Sequence, residues 1–250
     1  MADVSPQSIT GTRTACQPFW MPAFGPPPYP MVCAELLMVE FEADRAEIER
    51  ITPPPFEPVE HNRLVAFVGD NMQLPITMNF HEAAILQRVR YQGREAITIP
   101  YIWVSNDVAM IAGRDLYGMP KMLCDPDTLQ KTGSEIVGRA SRSGNLLYEV
   151  AMTMQAIADP SEAPIIPDFA FVRHIPSPDP EVPALRQLIW ATLTDFKCEV
   201  CLSGRGFMRV GNPMSSGLDR LAPKAITGAW YGKFSWVLHH GKILHEEKVW

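Results

Sequence analysis

The chain has 250 residues, 46% of them hydrophobic and 20% charged, with a formal net charge of −6 at pH 7. That length buries a sizeable core, and the composition is that of a soluble globular chain. The acidic balance, with no Lys/Arg-rich run, excludes a nucleic-acid binder; no apolar run approaches a membrane span, and Met1–Gln7 lacks the basic and apolar regions of a signal peptide.

Proline is abundant, at 24 residues. Its clusters at Pro18–Pro30, Pro53–Pro55 and Pro160–Pro183 mark loops and edges and break any long helix. Between them run short segments rich in Val, Ile, Phe and Trp, which predict strands. In chain order these are Leu36–Phe41, Leu64–Val68, Ile97–Trp103, Leu146–Met154, Phe169–Val172, Glu199–Leu202 and Phe234–Leu238. Helical signals are few. Asp44 is placed to cap a short amphipathic helix ending at Ile51, before Pro53, and Asp107 to cap a second over Val108–Arg114. Pro183–Thr192 reads as a third, although Ile189–Leu193 suits a strand equally well. No internal repeat is present. The sum is a mainly β fold with a few short helices in one domain over residues 1–250, its first 30 residues a Pro-rich segment. A barrel or sandwich is favoured over a parallel α/β sheet.

Five cysteines, an odd and scattered set, argue against a disulfide framework and for a reducing, cytoplasmic compartment. Cys198 and Cys201 form the one close pair. On an extended run, residues three apart point to opposite faces, so zinc is not expected. His239, His240 and His245 lack a completing carboxylate or cysteine pattern, and no metal or cofactor is expected there. Gly204-Arg205-Gly206 lacks the spacing of a dinucleotide loop and reads as a hairpin turn. Ser215-Ser216-Gly217 reads as a plain loop rather than a nucleophile elbow.

Lys121 stands apart. It follows Gly118-Met119-Pro120 and is flanked by Leu116, Met119, Met122 and Leu123. If this setting is buried, desolvation disfavours the cation and frees a neutral amine able to attack a carbonyl and form an imine. The alternative is a surface lysine whose stem lies over Met and Leu. A loop leading from the Val108–Arg114 helix into a strand is a reasonable place from which to aim a side chain into a cavity.

The run Gly113-Arg114-Asp115 followed by Tyr117-Gly118-Met119-Pro120-Lys121 resembles the Schiff-base lysine motif of the acetoacetate decarboxylase-like superfamily. That enzyme is the standard example of a lysine activated by its surroundings. Glu82 precedes Lys121 by 39 residues, the separation at which the family carries a pocket glutamate. Asp44–Pro55 is similar to the family's short helix and Pro-rich turn, and the segments from Pro213 to Leu238 to its C-terminal strands. The resemblance implies a closed, cone-like β-barrel, an imine-forming lysine in an apolar cavity, no cofactor, and homo-oligomeric assembly. It assigns catalysis to Lys121 as nucleophile and Glu82 as general acid/base; a salt bridge from Glu82 to Arg88 or Arg90 is the structural alternative. Tyr117, Arg114, Met119 and Met122 become candidate substrate-binding residues. Arg114 suits a helix end or a buried carboxylate, and Tyr117 a substrate oxygen or the cavity wall.

The chain also departs from the family. Met122 replaces a second lysine. Ala34, beside Glu35, stands where the family places an arginine, and Val68 where it places a second glutamate. Asp70, two residues on, is a candidate stand-in; the alternative is a turn aspartate before Asn71. Arg88, Arg90 and Arg209 are further arginines with no assigned place. The arginine lost at Ala34 and the glutamate lost at Val68 shift the expected reaction towards condensation of a small oxo acid such as pyruvate with an aldehyde, followed by dehydration; Met122 need not abolish activation of Lys121. Decarboxylation of acetoacetate or a related β-keto acid is the alternative within the same chemistry. A non-catalytic barrel that binds a small molecule is the alternative outside it.

Overall fold

The computed structural model describes residues 24–74, 77, 79–211 and 217–250. Its strands are β1 (Tyr29–Glu42), β2 (Glu57–Pro58), β3 (Arg63–Met72), β4 (Phe80–Tyr91), β5 (Arg94–Val104), β6 (Lys121–Leu123), β7 (Gln130–Thr132), β8 (Glu135–Arg142), β9 (Asn145–Ile157), β10 (Asp168–Ile175), β11 (Ala184–Val210), β12 (Ala225–Leu238) and β13 (Lys242–Val249). Each expected strand falls within one of these. Among the described residues helix is limited to α1 (Arg45–Ile51), α2 (Asp107–Ala112), a π-helical turn at Gly113–Tyr117 and two 3₁₀ turns. Among the described residues no helix is long and apolar enough to cross a membrane.

Pairing runs β10-β5-β4-β3-β1-β12-β11, and β10 pairs back onto β11, so the strands form a ring. The ring is antiparallel except where β10 meets β5. From β11 the sheet continues outward through β9, β8 and β7. The 27 residues of β11 serve both layers. Register shifts at Thr194/Lys197 and Cys198/Val200, with Asp195 at φ 52°, bend it between them.

Strands buried on both faces read as continuous apolar runs, which is how β1 and β3 appear in sequence. Leu36, Met38, Val65 and Phe67 point to the ring interior. Leu37, Val39, Leu64, Ala66 and Val68 point outward, onto α1 and the β8–β9 layer. The outer core is closed by Tyr148, whose hydroxyl donates to the carbonyls of Phe67 (2.5 Å) and Ala84 (3.3 Å). Burial raises that phenol well above its usual range.

Several local expectations are corrected. Pro183–Thr192 is no helix: Ala184 onward is β11, paired on both sides by β10 and β13. Tertiary pairing overrides a weak local preference there. Asp44 does occupy the N-cap of α1, but its carboxylate pairs with Lys224 (2.6 Å) rather than with the helix. The second helix is capped by Asn106, which accepts from the Ala109 N–H at 2.9 Å, and Asp107 is its first residue. Gly204-Arg205-Gly206 is not a hairpin turn but mid-β11, at a register shift. A Cβ on Gly204 would lie 2.0 Å from the Thr153 carbonyl oxygen, so the glycine permits close approach of β9. Cys198 and Cys201 do not face opposite sides, because the bulge at Cys198/Val200 turns both towards the ring interior. Burial, with Cys198 beside it, pushes the Cys201 thiol up to about 11.

Candidate functional site

Lys121 owes its position to the preceding turn. Helix α2 widens into the π turn, and Gly118 in the left-handed conformation (φ 78°) ends it. A side chain at Gly118 would meet the Arg173 backbone at 2.5 Å. The chain then enters β6, where Lys121 lies beside Ile102 in parallel register. Its stem crosses Gly113 so closely that a Cβ there would sit 2.7 Å from both Cδ and Cε. The first glycine of the motif thus opens the path of the lysine to the interior.

The lysine side chain is 9% exposed, and its Nζ lies 2.6 Å from Oε2 of Glu82, itself 13% exposed. Glu82 projects inward from β4, opposite Gly69 on β3 and Val104 on β5. Burial penalises the ammonium, and the adjacent carboxylate offsets that penalty. The 2.6 Å contact is short enough for a proton to pass between the two groups.

Both groups open on a cavity of about 120 Å³ inside the ring. Tyr117 and Met119 also line it. The Tyr117 hydroxyl donates to the His239 carbonyl (2.8 Å), which commits its proton to the wall. Burial pushes this phenol upward, so it stays protonated. Tyr29 behaves alike: its hydroxyl donates to the Gly25 carbonyl at 2.5 Å, and burial pushes it up to about 12.

Three expected binding residues are not brought to the cavity. Arg114 is exposed on the outside of the π turn. Met122 faces the outer core, as strand alternation requires, and its sulfur lies 3.1 Å from Arg142. Asp70 accepts from the N–H groups of Asn71 and Leu129 and lies 3.1 Å from His81, an arrangement that fits the turn aspartate. Val68 also faces outward, so its position offers the cavity nothing, whereas Ala34 packs in the interior cluster. Arg90 binds Glu60 and Glu95, Arg209 binds Glu149, and Arg88 lines a separate shallow cleft. Among the described residues no arginine lines the cavity.

Wall residues that sequence reasoning missed include Tyr29, Phe169, Phe196 and Trp236. They come from four strands scattered along the chain, and only the inward parity of those strands marks them. Among the described residues no group of three or more His, Cys, Asp or Glu side chains is arranged to hold a metal ion. His239 Nε2 instead meets the Thr194 hydroxyl at 2.7 Å. The expected loop at Ser215-Ser216 lies outside the described residues.

The family described as acetoacetate decarboxylase (ADC) matches residues 15–247. Acetoacetate decarboxylase 3 of Mesorhizobium japonicum is 22% identical over 240 residues, spanning 94% of this chain and 91% of that protein. The acetoacetate decarboxylase of Acidiphilium cryptum is 27% identical over 112 residues, and the match spans 44% of each chain. Among solved structures, acetoacetate decarboxylase from Legionella pneumophila superposes with a TM-score of 0.84 at 18% identity, covering 97% of this chain and 99% of that one. The enduracididine biosynthesis enzyme MppR, solved with the condensation product of pyruvate and imidazole 4-carboxaldehyde, superposes with a TM-score of 0.80 at 23% identity, covering 94% and 96%. With the family matched over nearly its whole length, and with the fold shared, this chain belongs to the acetoacetate decarboxylase family.

Proposed function

We propose that the protein is a Schiff-base lyase in which Lys121 is the nucleophile and Glu82 the proton carrier. One observation carries this reading: an inward-facing lysine amine lies 2.6 Å from a carboxylate in a cavity whose wall is otherwise apolar. The Lys121 amine adds to the carbonyl carbon of a small oxo acid, and the oxygen leaves as water. The resulting iminium withdraws electrons from the neighbouring carbon. With pyruvate, a methyl proton passes to a base and the enamine attacks an aldehyde carbon. The aldol hydroxyl then leaves as water, and hydrolysis of the imine frees Lys121. Glu82, within reach of Nζ, takes and returns the protons.

The departure at Ala34, and the likeness to an enzyme solved with a pyruvate condensation product, support this aldolase-dehydratase route. Decarboxylation of a β-keto acid is the second reading, and the cavity favours it in one respect. Among the described residues a substrate carboxylate there finds no cation besides Lys121, and loss of neutral CO₂ removes a poorly solvated charge. The electrons of the broken bond pass into the iminium, and the enamine is then protonated at carbon.

The test is borohydride reduction in the presence of pyruvate or acetoacetate, followed by peptide mass mapping. A reduced adduct on Lys121 is expected with at least one of them, and none in Lys121→Met. Failure to trap either ligand would sink the enzymatic reading. A parallel assay of CO₂ release and of pyruvate–aldehyde condensation ranks the two reactions.

A further inference from the structure

The cavity wall carries more information than the lysine motif. Lys121 and Glu82 bear its only charges among the described residues. Both tyrosine hydroxyl protons are committed to backbone carbonyls, Tyr29 to Gly25 and Tyr117 to His239. Among the described residues the Trp236 indole is the single further wall side chain that bears a donor. Everything else is hydrocarbon, aromatic ring or thioether, with Phe67, Phe80, Phe169 and Phe196 set around Met72 and Leu86.

From this wall we infer that the carbonyl compound held here has an uncharged hydrocarbon body, about one aromatic ring or its branched aliphatic equivalent in size. It bears no polar group beyond those beside the reacting carbon. The inference rests on the Schiff-base reading for which end of the ligand meets Lys121. The volume supports the size: the cavity of about 120 Å³ is close to the roughly 150 Å³ apolar cavity that accommodates benzene. The wall supports the chemistry. A hydroxyl, amine or phosphate on the ligand body would lose its water with only the Trp236 indole and the two tyrosine oxygens to replace it, so sugar-derived and phosphorylated carbonyl compounds are disfavoured. An aryl or branched alkyl group loses nothing and gains contact with rings and methionines, whose unbranched side chains adapt to differing shapes. Conversely, a ligand as small as acetone leaves most of the wall without contacts.

The test uses the intact protein and ketones that need no turnover. Acetone, 2-hexanone, 4-phenylbutan-2-one and 5-oxohexanoate are each titrated with borohydride, and adduct mass gives the half-saturating concentration. Thermal shift is recorded on the same series without reductant. Tightening of roughly four-fold per buried methylene is expected from acetone to 2-hexanone. The phenyl ketone should half-saturate at least as low as 2-hexanone, and 5-oxohexanoate at least about ten-fold higher than 2-hexanone. Equal labelling across the series would overturn the inference while the imine chemistry stands. No labelling, with a graded thermal shift, would overturn the Schiff-base reading but retain an apolar-bodied ligand. Neither labelling nor a graded shift would overturn both.

Discussion

Two buried carboxylates on opposite faces of the ring wall invite comparison. Glu82 on β4 faces the cavity and Glu35 on β1 faces outward, with side-chain exposures of 13% and 10%. Burial therefore does not distinguish them; partners do. Glu35 accepts from Lys131, from the Tyr231 hydroxyl (2.6 Å) and from Asn71 (3.2 Å), with Lys233 at 3.6 Å. Burial pushes its carboxyl up, yet the Lys131 and Tyr231 hydrogen bonds and the two lysine charges outweigh that and hold it below the usual range. Among the described residues Glu82 has one side-chain partner, Lys121, and open space beside it. A carboxylate with all its hydrogen bonds filled fixes structure. One with a single movable proton donor and room for a ligand is free to do chemistry.

Substitutions at the two sites separate these roles. Glu82→Gln keeps the shape and removes the carboxylate proposed to carry protons. Turnover should fall by about 10²- to 10⁴-fold, and loss of the ion pair with Lys121 should lower the melting temperature as well. Steady-state kinetics beside a melting curve decides this, and turnover close to that of the unaltered protein would make Glu82 a structural residue like Glu35. Next in size is Gly113→Ala, which drives a methyl group into the Lys121 stem. Overpacking of this kind costs about 1–3 kcal/mol, and a displaced amine should cut imine formation by roughly 10- to 100-fold. Denaturant midpoints and the borohydride trapping rate measure the two parts.

The smallest effect on catalysis belongs to Glu35→Gln. Turnover should stay within about two-fold, while loss of charge-assisted hydrogen bonds lowers stability by about 1–3 kcal/mol. Its pH dependence is the sharper readout. Because the folded carboxyl titrates below its ordinary value of 4.5, its contribution is present above that pH and lost as pH falls through the lower folded value. Stability of Glu35→Gln should therefore fall less steeply below about pH 4.5. Parallel acid-unfolding curves for the two proteins would contradict the assignment.

Much of the inner site was legible because its signals are local or repeat at a fixed spacing. The glycines, proline and lysine of Gly113–Lys121 each answer a backbone demand visible in the turn that they form. Most strands of the ring declared themselves through apolar runs, but β4, which carries Glu82, was not among those expected. What stayed hidden depends on distant pairing. Nothing near Cys198 shows that β12 imposes a bulge there, and nothing near Leu188 shows that β10 and β13 hold it extended. Arg114 became a candidate through the motif that carries the resemblance, and the π turn, wider than an α-helix, leaves it exposed. The cavity wall is the least legible part, since it is a property of the closed ring and not of any one segment.

The closure itself bears on how the protein is made. Leu37 in β1 pairs with Tyr231 in β12, 194 positions further along the chain, and β11 cannot take its place until β9, β10, β12 and β13 are all available. As the chain leaves the ribosome, β1, β3 and β4 emerge with their inward apolar residues uncovered and with one edge of β1 unpaired. They stay so until β12 is synthesised. Distant pairings of this kind fold slowly. The nascent protein is thus a candidate client for chaperones until then, and truncation even shortly before β12 should yield aggregate instead of a smaller folded body.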